Sequence, residues 1–125
     1  MPKFETRFLE SPYLIFEREW LDGERYRFRT ESPYVLSVIR NRYSYGGEQG
    51  LFELAIVLPN NYVCEPIGYL TVDEVLAILD YENGKDVESE IIREWKKPED
   101  INRVEQRVRF IRNKAKELNE DDSEI

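Results

Sequence analysis

The stretch LFELAIVL, residues 51–58, constrains the fold more than any other part of the chain. It is nearly continuous apolar sequence, which predicts a central β-strand covered on both faces. Around it the chain is punctuated closely. NRYSYGGEQG (41–50) precedes it as a glycine loop, Pro59-Asn60-Asn61 follows as a turn, and YVCEP (62–66) reads as a short strand ended by Pro66. Thr71 then opens a helix over 71–80. Its hydroxyl can cap the Glu74 N–H while Glu74 reaches back, the capping-box pattern. Val72, Val75, Leu76 and Leu79 form the core-facing stripe of that helix.

Upstream, KFETRF (3–8) alternates weakly and predicts an edge strand. Residues 13–30, YLIFEREWLDGERYRFRT, predict a hairpin. Side-chain matching favours a three-residue loop, Asp22 to Glu24. That register sets Trp20 opposite Tyr26, Glu19 opposite Arg27 and Glu17 opposite Arg29, so that one face is aromatic and the other a ladder of opposite charges. A two-residue loop would cross the faces. Ser32-Pro33 suits either a helix start or a turn; the β-branched residues of YVLSVIR (34–40) favour a strand.

Downstream, DVESEIIREW predicts a second helix over 86–96, with Val87, Ile91 and Trp95 inward. Pro98 opens a third over 98–118. There Ile101, Val104, Val108, Ile111, Ala115 and Leu118 repeat at heptad spacing. That stripe can pack on the sheet or form the seam of a homodimer. The expected fold is therefore a single α+β domain over 1–118. It has a small, mainly antiparallel sheet of about five strands in residues 3–65, C-terminal helices, and an acidic disordered tail over 119–125.

Charge is uneven in this 125-residue chain of net charge -8. Residues 1–50 carry 8 basic and 8 acidic groups, and residues 51–100 carry 4 and 12. Asp73, Glu74, Asp80, Glu82, Asp86, Glu88 and Glu90 form a run relieved only by Lys85. Such a face imitates a nucleic-acid backbone and suits a protein partner with a basic surface, such as the groove of a nuclease or polymerase. The bland alternative is a solubilising surface. Basic residues from Arg103 to Lys116 surround the last helix instead of lining one face, so direct nucleic-acid binding is disfavoured. Tyr43 and Tyr45 offer a second candidate contact surface, unless they pack over the sheet edge.

Several chemistries lack their residues. There is no histidine, and Cys64 is the single cysteine. No Ser-His-Asp or Cys-His arrangement and no zinc set can form. The glycine loop lacks the Gly-Lys-Ser/Thr of a phosphate loop and leads into a strand. No catalytic residue, metal ligand or cofactor is assigned, and a non-enzymatic role is expected. No signal-peptide core and no membrane-length apolar run is seen, which predicts a cytoplasmic protein.

SYGGEQGLFELAIV followed by GYLTVDEVLAIL resembles small accessory proteins from phages and prophages of Gram-positive bacteria. Matching residues are Ser37, Val38, Ile39, Ser44, Tyr45, Gly46, Gly50, Leu51, Phe52, Glu53, Ala55, Val57, Gly68, Tyr69, Leu70, Thr71, Glu74, Val75 and Leu79. The likeness spans about residues 26–80. Two features depart from it: the segment before Gly68 is shortened, and helical sequence continues after Glu82. The resemblance implies phage biology, antagonism of host defence included; small acidic phage proteins that resemble anti-CRISPR inhibitors are one such class.

Overall fold

The computed structural model describes residues 3–95. Five strands form one antiparallel sheet in chain order: β1 (Leu14–Trp20), β2 (Gly23–Arg29), β3 (Val35–Arg40), β4 (Phe52–Val57) and β5 (Ile67–Leu70). The helices are α1 (Thr6–Leu9), α2 (Val72–Glu82) and α3 (Glu90–Trp95). This is the expected α+β fold. The heptad residues Ile101 to Leu118 and the acidic tail lie outside the described residues.

Cross-strand register explains the core. Tyr26, Val38 and Leu54 are partners across β2, β3 and β4, and so are Phe28, Leu36 and Ile56. All six are buried, together with Phe8 of α1, Val75, Ile78 and Leu79 of α2, and Ile92 of α3. Phe8 makes edge-to-face contacts with Tyr26 and Phe52, both at 4.9 Å between ring centres. Ala55 and Val57, on the other parity of β4, are buried as well, which accounts for the unbroken apolar run. That strand is interior, fourth of five, instead of central. Cys64 is buried in the core, as a small hydrophobe.

Four expectations are corrected. KFETRF is not a strand: residues 6–9 form a helical turn whose N-cap is Glu5. The Phe4–Phe8 spacing of four sets both rings against Tyr26. The hairpin has a two-residue turn. Trp20 pairs with Gly23, Glu19 with Glu24, and Arg18 with Arg25, so the opposite-charge ladder does not form. Leu21 (φ 52) and Asp22 (φ 62) both take left-handed backbone, as a type I′ turn requires. The fifth strand is Ile67–Leu70, not 62–66, where only an isolated bridge, Val57 to Val63, forms. Pro66 has no N–H for a ladder, and pairing starts after it, Ile67 with Leu54 and Leu70 with Phe52, with a shift of register between the two. Finally, the second helix begins at Glu90 instead of residue 86, after Ser89, whose Oγ accepts from the Ile92 N–H at 3.4 Å.

The predicted capping box is present. Glu74 N–H donates to Thr71 Oγ1 (3.2 Å), and Thr71 N–H donates to Glu74 Oε1 (2.9 Å). At the other end of α2, Glu82 accepts from the Tyr34 hydroxyl (2.7 Å) and from Trp95 Nε1–H (2.8 Å). One carboxylate thus ties α2 to the entry of β3 and to α3.

Candidate protein-binding surface

At the end of the sheet where β2 begins and β3 ends, three segments meet. The 41–50 loop is fixed by reciprocal hydrogen bonds between two buried residues. Asn41 Oδ1 accepts from the N–H groups of Tyr43 (2.8 Å) and Ser44 (2.9 Å). Ser44 Oγ donates to the Asn41 carbonyl (2.8 Å) and accepts from its N–H (2.9 Å). Arg42 forms an ion pair with Asp22 of the hairpin turn at 3.1 Å. On the opposite side, the Tyr45 carbonyl accepts from the Tyr69 N–H of β5 at 3.1 Å. Gly46 turns the chain at φ 90. Gly68 lies so close to Tyr45 that a Cβ there would collide with the Tyr45 side chain.

This scaffold holds large apolar side chains in solvent. Tyr43 is 69% exposed, Tyr45 and Tyr69 57% each, Leu21 48% and Trp20 37%. Tyr69 has φ 60 and Leu21 φ 52. Left-handed backbone at bulky side chains is unfavourable by roughly 1–2 kcal/mol each and concentrates at functional positions. Tyr43 and Tyr45 thus lie at the same end of the sheet as Trp20, Leu21 and Tyr69, linked by the Arg42–Asp22 ion pair and the Tyr69-to-Tyr45 bond. The glycine loop singles out the first two in the sequence, and the structure leaves both exposed. Nothing in the sequence singles out the others, because only the sheet brings them together.

The acidic run is placed differently. Glu74 serves the capping box and Glu82 the three-way tie. Asp73 pairs with Arg7 (2.7 Å), Asp80 with Lys85 (3.6 Å) and Glu88 with Arg93 (3.9 Å). Asp86 and Glu90 are exposed between α2 and the first turn of α3. Five of the seven carboxylates thus have partners within the chain.

A cationic counterpart lies on the sheet face opposite the core. Arg18 and Arg25 are cross-strand partners, and Arg27 follows on the same side. Their guanidiniums gather on two rings: Arg18 stands 4.7 Å from the Phe16 centre and Arg25 4.7 Å from that of Trp20. The Nε atoms of Arg25 and Arg27 are shut off from solvent and have no hydrogen-bond partner among the described residues. Burial, and then the neighbouring Arg27 and Arg18, pull the Arg25 pKa below its usual range; Arg27 is lowered by burial and by Arg18.

Among the described residues no group of His, Cys, Asp and Glu side chains is placed to hold a metal ion, and no helix is long and apolar enough to cross a membrane. No protein-family model, curated protein or solved structure matches the chain.

Proposed function

We propose that this chain acts without catalysis, by binding another protein through the aromatic end of its sheet. The observation that carries this reading is that Trp20, Leu21, Tyr43, Tyr45 and Tyr69, all exposed, stand at one end of the sheet, where the Asn41–Ser44 bonds fix the loop and Leu21 and Tyr69 take left-handed backbone. Rigid, solvent-facing aromatic groups are the typical anchors of protein interfaces, because little freedom is lost when they are covered. Following the resemblance to phage accessory proteins, we assign the setting as a bacterial cell under infection and the partner as a host defence protein that handles nucleic acid.

A second reading keeps the acidic run as a nucleic-acid mimic for a basic partner. It draws on Asp86, Glu88 and Glu90, exposed around the start of α3. Capture from a bacterial lysate carrying CRISPR and restriction systems, quantified by mass spectrometry, separates the two. Three baits are compared: the natural chain, Tyr43→Ser with Tyr45→Ser, and Asp86→Asn with Glu88→Gln and Glu90→Gln. We expect a protein held by the natural bait and by the Asp86, Glu88, Glu90 variant and lost from the tyrosine variant. Loss from the carboxylate variant alone, with release by salt, would establish the mimic instead.

A further inference from the structure

We propose that the arginine face of β1–β2 binds a carboxylate-rich, extended segment of a partner protein; this rests on the reading above that the chain is a protein binder. The first support is a contrast among the cations. Arg7, Arg40, Arg42, Lys85 and Arg93 each meet a carboxylate. Arg18, Arg25 and Arg27 have no ion pair among the described residues, although the hairpin that carries them also holds Glu17, Glu19 and Glu24. The turn is the cause. With two residues in the loop, Glu17 and Glu19 stand beside Tyr26 and Glu24 on the core side, and the arginines are left to one another on the other side. Like charges directly opposite disfavour a sheet. The register that sets them so also holds Leu21 in left-handed backbone.

The second support is geometry. All three guanidinium carbons lie 4.7 to 6.0 Å from the Phe16 ring centre. Contact with Phe16 and Trp20 holds the guanidiniums over the rings, and with the Nε atoms of Arg25 and Arg27 shut off from solvent it is the terminal Nη groups that would meet carboxylate oxygens. Arg25, Arg27 and Arg29 recur every second residue along β2, about 7 Å apart, which is the repeat of alternate side chains on an extended segment. A carboxylate segment suits this chain better than nucleic acid. A net charge of -8 repels a long polyanion, whereas a short acidic segment experiences mainly the local field.

The test uses fluorescence anisotropy at low salt with three labelled probes: an alternating Glu–Thr peptide, its Gln–Thr counterpart, and oligo-dT of matched charge. The Glu–Thr peptide should bind, and the Gln–Thr peptide should not. Arg18→Glu with Arg27→Gln should weaken binding about tenfold or more. Arg18→Lys with Arg27→Lys should give an intermediate loss, because charge is kept and the planar fork is not. Tighter binding of oligo-dT, equal binding of the Gln–Thr peptide, no binding at all, or indifference to the arginine variants would overturn the proposal. Tyr43→Ser with Tyr45→Ser should leave peptide binding unchanged. Failure of the aromatic-end reading therefore shows in the lysate capture, and failure of this one in the peptide titration.

Discussion

Glu24 is a buried carboxylate that the fold satisfies completely. It accepts from the Tyr26 hydroxyl at 2.8 Å and from Arg40 at 2.7 and 3.3 Å, while the Glu5 N–H donates to Tyr26 Oη at 2.7 Å. Glu24→Ala would strand a half-buried guanidinium. It should lower stability by about 3 kcal/mol in urea denaturation, and Glu24→Gln by less. Burial raises the Tyr26 pKa well above its usual value, and burial with the Glu82 carboxylate does the same for Tyr34. Each phenol stays protonated in the folded chain after it ionises in the unfolded one. Their contribution is intact below about pH 10 and declines above it, at up to about 1.4 kcal/mol per pH unit for each group. Denaturation midpoints should hold between neutrality and pH 10 and then fall. Tyr26→Phe should soften the fall; an unchanged slope would contradict the assignment.

Among the elements, α2 and β4 were legible because their signals are local: a capping box, an apolar stripe and an unbroken apolar run. The hairpin register was not. Leu-Asp is a poor type I′ turn, and the charge ladder of the alternative register looked better by side-chain pairing. The structure keeps the less favourable pairing. The first helical turn was hidden because KFETRF alternates weakly, and Phe4 and Phe8 find Tyr26 only once the sheet exists. Leu21→Asn, which tolerates left-handed backbone, should raise stability by about 0.5–1 kcal/mol. Glu82→Ala should cost about 2 kcal/mol, through two lost bonds to a charged acceptor. Hydrogen exchange should then quicken over Glu90–Trp95 more than in the sheet; uniform quickening would argue against Glu82 as the tie to α3.

Over the whole molecule, counting charges along the sequence points to the acidic run, but spacing alone does not reveal which carboxylates are already engaged. Folding pairs Asp73 with Arg7 across more than sixty positions and leaves arginines from the more balanced half together on a sheet face. Tyr43 and Tyr45 were legible as a surface from their glycine loop; Trp20 and Tyr69 join them only through strand order. On the reading proposed above, this end and face are kept for a partner at some expense in stability. Calorimetric melting of the chain carrying Leu21→Asn and Arg18→Glu tests it most directly, since one change relieves backbone strain and the other like-charge contact with Arg25. The melting temperature should lie a few degrees above that of the natural chain. A lower one would contradict that reading and would assign Leu21 and Arg18 to holding the fold.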